Sequence, residues 1–264
     1  MPFVYKEVGG LGFYEVSGWD GAVGLFTTRK GGVSAPPYDT LNLGNPGAGS
    51  GDDPARVDKN RAMLADALGI EPDAMKTINQ VHGTDVYTLV SSDSRRPVKG
   101  YDALITKVKG AALCILTADC VPVLIYDPVS GCAAAVHAGW AGSVGKIAGK
   151  AVEAMVQAFG ARPSDMLAAI GPSIGPCCYE VDEKVIDPLR KSFSDWTGMV
   201  NPGRDGRWLL DLWETNRVAL LKAGVSPVNI SVMGVCTACN DDKFFSHRKS
   251  KGKAGRMMGV VMIR

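Results

Sequence analysis

The chain has 264 residues, 46% of them hydrophobic and 21% charged, with a formal net charge of +2. That balance suits a soluble globular core and excludes disordered and collagen-like chains. Near-neutrality gives no field to select nucleic acid or an anionic membrane, and the apolar runs fall far short of the about 20 residues a membrane helix needs.

Turn residues cluster at 31–38 and 44–51, which read as two loops. Asp53 and Pro54 then open a helix that runs to about Leu68 and is capped by Gly69, with Val57, Leu64 and Leu68 at helical spacing. Strand-like runs follow at 77–81, 85–90, 111–116, 121–126 and 132–137. The last three succeed one another across short turns, which argues for antiparallel or mixed pairing. Residues 143–159 make the clearest helix, with Val144, Ile147, Ala151, Val152, Met155 and Phe159 on one stripe. A buried strand is expected at 166–170, a helix at 212–223, and another at 183–191 that Pro188 would break or kink. Closing strands are expected at 230–235 and 258–263. The class is α/β of the mixed α+β kind. It is expected as a single domain over residues 1–264, with a mixed β-sheet core, flanking helices and more strands than helices.

The first eight residues mix charge with apolar side chains, so no secretory signal is expected there, and the expected location is cytoplasmic. Seven cysteines, an odd number, then read as free, metal-bound or reactive thiols rather than a disulfide framework. Three histidines set a second limit. A blue-copper oxidase needs a His₂Cys site plus a histidine-rich cluster, and this chain cannot supply both.

Three residues stand out for chemistry. His82 lies in Asn79-Gln80-Val81-His82-Gly83, Cys120 in Thr117-Ala118-Asp119-Cys120-Val121, and His137 in Val136-His137-Ala138-Gly139-Trp140. Each sits at the end of an expected strand beside small residues, where side chains converge on clefts. Two imidazoles and a thiolate form a zinc set with one position left open, the pattern of catalytic rather than structural sites. Against this, the spacing is not that of a zinc finger, and two core histidines and a packing thiol fit the same residues.

Other patterns fail on inspection. Gly142-Ser143-Val144-Gly145-Lys146-Ile147 is no phosphate loop, because Ile147 replaces Ser/Thr and Trp140 stands where the first glycine belongs. Gly171-Pro172-Ser173-Ile174-Gly175 matches a nucleophile-elbow pattern, but Pro176-Cys177-Cys178 does not continue as the required helix. The C-x-x-C at Cys236 and Cys239 has no second such pair and reads as packing thiols. Adjacent Cys177 and Cys178 should point in different directions, so that at most one faces a cleft. Cys114 and Cys132 read as core.

The three motifs above, with Thr28-Arg29-Lys30-Gly31-Gly32, Leu41-Asn42-Leu43-Gly44, Gly171-Pro172-Ser173-Ile174-Gly175-Pro176-Cys177-Cys178-Tyr179-Glu180-Val181 and Phe245-Ser246-His247-Arg248, resemble the YfiH-type laccase-domain family over nearly the whole chain. The resemblance implies one α/β domain and a zinc, with copper not favoured, held by His82, Cys120 and His137. It implies phosphorolysis of purine nucleosides, including methylthioadenosine, and deamination of adenosine. Through peptidoglycan-precursor editing it also implies an amide-cleaving alternative. It further places the Cys178 loop near the site. Where the family carries Arg after His-Ala-Gly-Trp, this chain has Ala141, so anion affinity must come from Arg29, Arg248 or Arg256, or be lower. Asn42 is a candidate polar contact or a turn cap. His247 is a candidate base, a substrate contact or a surface residue. Residues 243–264 carry seven Lys/Arg and no acid, and read as a solvated tail or a wall of the site.

Three functions remain open at this level. The first is a zinc-dependent purine nucleoside enzyme acting on nucleoside and phosphate, expected as a monomer. The second is a cysteine amidase with Cys120 as nucleophile, His137 as base and Asp119 or a polar neighbour as its orienter. The third is a non-catalytic nucleoside-binding protein.

Overall fold

The structure, a computed structural model, describes residues 2–45, 51–92 and 98–264. Residues 46–50 of the loop expected at 44–51 lie outside the described residues. The chain opens with a meander of β1 (Phe3–Val8), β2 (Leu11–Val16) and β3 (Ala22–Thr27), where no element was expected. β1 is an edge strand with almost all its residues exposed, so its sequence carries no burial alternation. α1 (Pro54–Leu68) has the expected bounds. The Asp53 side chain accepts from Ala55 N–H, and Gly69 takes the left-handed conformation after the last turn.

Of the run expected at 77–81 only β5 (Ile78–Asn79) is strand; β4 (Met75–Lys76) precedes it, and the two join different sheets. β6 (Val86–Leu89), β7 (Val98–Lys99), β8 (Ala103–Thr106), β9 (Ala112–Thr117), β10 (Val121–Asp127) and β11 (Cys132–Ala138) follow. The helix expected at 143–159 is two helices, α2 (Trp140–Val144) and α3 (Ile147–Phe159). The break falls at Gly145, against which Thr84 packs, and at Lys146, whose φ of 60° ends one helix before the next begins. β12 (Leu167–Ile170) and β13 (Glu180–Val181) lead to α4 (Glu183–Ser192). α4 continues through Pro188, because Asp182 caps it and Val185, Ile186 and Leu189 bury its inner face. β14 (Val200–Pro202), β15 (Trp208–Leu210), α5 (Leu212–Lys222), β16 (Ile230–Val232) and β17 (Met257–Ile263) complete the chain. The basic C-terminal segment is therefore no tail, since its second half is a buried central strand.

Two six-stranded sheets result, in the orders β1-β2-β3-β17-β9-β4 and β16-β12-β10-β11-β8-β6. Pairing is mixed: β4–β9, β6–β8 and β12–β16 are parallel, and their other neighbours antiparallel. β10 and β11 form the expected hairpin, but β9 belongs to the other sheet and pairs with β17. Asp119, with φ of 83°, turns the chain from one sheet to the other.

The sheets stack face to face. Leu113, Ile115 and Val261 of one meet Leu124, Ala133 and Ala135 of the other. Residues one step along point outward: Cys114, Val260 and Met258 pack with Leu64 of α1, while Val123, Ile125 and Val136 pack with Ile147, Ala151 and Val152 of α3. This helix–sheet–sheet–helix order buries both faces of β8 to β11, so they read as unbroken apolar runs. Among the described residues no helix is long and apolar enough to cross a membrane.

Candidate metal centre

The site lies where several strand ends meet at one edge of this sandwich. β11 alternates its side chains, and His137 shares the inter-sheet side with Ala133 and Ala135. The antiparallel register pairing Val136 with Ala103 continues to His137 and Asp102, whose backbones bond at 2.8 Å. Their side chains bond too, with His137 Nδ1 and Asp102 Oδ1 2.8 Å apart, and both residues are buried. With Nδ1–H donated to the carboxylate, Nε2 is the nitrogen left for a metal or a thiolate.

Asp102 also holds the second histidine. Its carboxylate accepts the backbone N–H groups of Val81, His82 and Gly83 at 3.2, 3.0 and 2.7 Å. These bonds keep His82 at φ of 60°, a conformation that non-glycine residues adopt rarely. Burial alone would raise the Asp102 pKa, but its bonds to His137, Gly83 and Val81 hold it below the ordinary carboxylate value.

Cys120 enters from the turn between β9 and β10. Its Sγ lies 3.8 Å from His82 Nε2, and the two imidazole rings stand edge to face at 4.9 Å. The candidate ligand atoms of His82, Cys120 and His137 all fall within 4.8 Å of one another. Gly139 makes room for them, since a Cβ there would sit 2.7 Å from His82 Cδ2 and 3.5 Å from Cys120 Sγ. Burial would raise the Cys120 thiol, yet the charge of His137 and bonds to His137 and His82 bring it down to about 6. Burial would likewise lower His137, but the Cys120 charge and the Asp102 bond raise it to about 9. Each of the two groups thus favours the charged form of the other.

The trio opens into a cavity of about 570 Å³, lined also by Asn79, Gln80, Leu116, His247 and Arg256. Gln80 is fixed by two bonds to the Leu116 backbone, at 2.8 and 2.7 Å. Arg256 lies on the wall, where Nη1 donates to the carbonyls of Ala254 and Gly255.

The other expected contacts are placed differently. Arg29 does not line this cavity. It donates to the carbonyls of Asp39 and Asp241, pairs with the Asp39 carboxylate at 3.2 Å and stacks on Phe245. Asn42 is buried and acts as a turn cap, its Oδ1 accepting from Gly44 and Arg256 N–H. Arg248 stacks on Tyr179 and faces a separate cavity. Ala141 does not line the trio's cavity. Asp119 is no orienter of His137, because its carboxylate accepts from Thr237 Oγ1 at 2.6 Å and Arg248 N–H at 2.7 Å. Ser173 is fully buried and in no position to attack a substrate. Cys178 meets Cys177, Cys236 and Cys239 instead of the trio. The two adjacent thiols thus face the same way, and the C-x-x-C does have partners. Asp102, the organiser of the site, was missed by the sequence reading. Its one signal is an acid placed directly before the apolar run 103–106.

Residues 23–264 match the family model described as multi-copper polyphenol oxidoreductase laccase. The chain is 39% identical over 279 residues to a protein of Geobacillus stearothermophilus named purine nucleoside phosphorylase YlmD, covering 99% of this chain and 97% of that one. It is 44% identical over 237 residues to a purine nucleoside phosphorylase of Deinococcus radiodurans, covering 89% and 87%. Among solved structures, YlmD of G. stearothermophilus superposes with a TM-score of 0.92 at 36% identity over the full length of both chains. The Bacillus licheniformis hypothetical protein YfiH gives 0.92 at 33%, over 100% of this chain and 99% of that one.

Proposed function

The chain belongs to the family described as multi-copper polyphenol oxidoreductase laccase, and from that premise we propose that it is a zinc-dependent purine nucleoside phosphorylase. The names of its relatives support the reaction class. The observation that carries the reading is the meeting of two imidazoles and a low-pKa thiol at the floor of a cavity walled by His247 and Arg256. That donor set suits zinc: nitrogen and sulfur ligands, three from the protein, and a carboxylate behind one histidine. Bound there, zinc supplies Lewis acidity to an oxygen of phosphate or water. With three histidines in the whole chain, the copper centres of a laccase cannot be built.

In phosphorolysis, a phosphate oxygen bonds to ribose C1′ as the bond from C1′ to the base nitrogen breaks. The base leaves with that electron pair and takes a proton. Arg256 gives the phosphate a cation on the cavity wall. His247, on the same wall, is the proposed donor of that proton. Gln80 is clamped by its backbone bonds and keeps the floor of the cavity rigid. Adenosine deamination, in which water adds at C6 and the amino group leaves as ammonia, is the second activity of the same cavity. The substrates are small molecules, and the protein works as a cytoplasmic monomer, a setting in which its seven free thiols persist.

The test is chromatography of products from adenosine, inosine and methylthioadenosine, with and without phosphate, using protein of known zinc content. Adenine and ribose 1-phosphate formed only with phosphate are the expected result. Inosine formed from adenosine without phosphate would add the deaminase. No product from folded, zinc-loaded protein would overturn both.

One observation favours a second reading. Cys120, His137 and Asp102 stand in the order of a nucleophile, its base and the orienter of that base. A cysteine amidase acting on peptidoglycan precursors would use these three and need neither His82 nor metal.

A further inference from the structure

We propose that Cys177, Cys178, Cys236 and Cys239 form a second zinc site, all-thiolate and structural, separate from the trio at the cavity. Zinc bonded to four sulfurs at about 2.3 Å requires sulfurs about 3.8 Å apart at the corners of a tetrahedron. Here Cys239 Sγ lies 3.6 Å from Cys177 Sγ and 3.4 Å from Cys178 Sγ, and all four sulfurs fall within 4.8 Å of one another. Four thiols are thus gathered at tetrahedral spacing by a fold that leaves each of them free.

Backbone hydrogen bonds bring the two halves of this cluster together. Ser173 and Cys236 form an isolated parallel bridge, with Thr237 N–H donating to the Ser173 carbonyl at 2.9 Å. Cys178 and Tyr179 N–H both donate to the Gly175 carbonyl, which turns the adjacent cysteines back toward the bridge. Asn240 N–H donates to the Cys236 carbonyl and closes the C-x-x-C turn. Gly175 N–H points at Cys236 Sγ from 3.2 Å, the kind of bond that steadies a thiolate. Only glycine allows that approach, since a Cβ at 175 would lie 3.1 Å from Cys236 Cβ and 2.6 Å from Trp213.

The chemistry selects the ion. Four sulfurs suit a borderline-soft cation such as zinc and reject magnesium and calcium. Four protein ligands leave no position for substrate, so this site holds structure. Four thiolates around a dication carry a net double negative charge. Arg204 and Arg248 line the cavity of about 620 Å³ that Cys177 and Cys178 also line, which supplies both positive charge and a path of entry. Metal here would tie the loop after β12 to the 236–240 turn. Through the Thr237–Asp119 bond, it would also brace the turn that carries Cys120.

The test is zinc analysis of the full chain purified under reducing conditions. The unaltered protein should carry two zinc ions per chain. His82→Ala and Cys239→Ser should each carry one, and the double variant none. Cys177→Ser, at an exposed position, serves if Cys239→Ser does not fold. Cobalt(II) loaded into the His82→Ala protein should give the intense near-ultraviolet charge-transfer bands of several cobalt–sulfur bonds. The proposal fails if folded His82→Ala protein binds neither zinc nor cobalt. It also fails if Cys239→Ser keeps both zinc ions, or if the freshly reduced chain carries a disulfide among these four residues.

Discussion

His82 from the loop after β5, Cys120 from the β9–β10 turn and His137 near the end of β11 meet on the wall of a cavity, whereas Cys177, Cys178, Cys236 and Cys239 come from two turns and meet near the surface. The first cluster mixes nitrogen with sulfur, and a buried carboxylate stands behind it. The second is sulfur alone, braced by backbone amides. Three ligands with an oriented histidine suit chemistry at an open position, while four ligands with none to spare suit a staple. The difference teaches that donor count and second-layer support, not the presence of cysteine, separate a site that reacts from one that holds.

The sharpest way to break that contrast is at Asp102, which has no counterpart among the four thiols. Asp102→Asn keeps the shape but puts an amide where one carboxylate now accepts from His137 and three backbone N–H groups. Zinc affinity at the trio should fall about 10–100-fold, with phosphorolysis falling alongside, while the four-thiol zinc stays. Competition with a chromogenic chelator measures both. Equal loss from both sites would mean Asp102 supports the fold rather than the ligand.

Arg256 sharpens the comparison from the substrate side, because it is the cation on the wall of the cavity into which the trio opens. Arg256→Gln should raise KM for phosphate about tenfold, the scale of one charge-assisted hydrogen bond, and change KM for the nucleoside less. An unchanged phosphate KM would remove Arg256 from the anion site.

The smallest effect concerns the thiols themselves. In metal-stripped protein, Cys120 is held down to about 6 by His137 and His82 against the effect of burial, whereas burial and the neighbouring Cys239 push Cys178 up to about 11. A lowered thiol is reactive above its folded pKa and protected only below it. Iodoacetamide should therefore label Cys120 with a rate that rises through pH 6, and Cys178 should lag throughout the neutral range. Peptide mapping reads both, and equal labelling at pH 7 would remove the distinction.

The parts legible in the sequence share a physical cause. The strands from 103 to 138 are covered on both faces, so the apolar runs at 111–116, 121–126 and 132–137 declare themselves. α1 shows because Asp53 and Gly69 cap it by local rules. The exposed edge strand β1 buries almost nothing and leaves no pattern to read. The break at Gly145 and Lys146 goes with the close packing of Thr84, far away in sequence, on Gly145. The trio could be suspected because each member falls at the end of a run expected to be a strand. Asp102 could not, since its role comes from the register between β8 and β11. The four-thiol cluster was hidden for the same reason: its two halves lie 61 residues apart, from Cys178 to Cys239, and are joined through the bridge at Ser173 and the Gly175–Cys236 bond.

The central claim is that the trio acts as a metal site and not as a cysteine nucleophile with its base. The most direct measurement is phosphate-dependent adenine release by chelator-treated protein as zinc is returned in known amounts. We expect no release without metal, and release that rises in proportion to zinc bound at His82, Cys120 and His137. Full activity in metal-free protein, abolished by alkylation of Cys120, would contradict the account and favour the Cys120–His137–Asp102 reading.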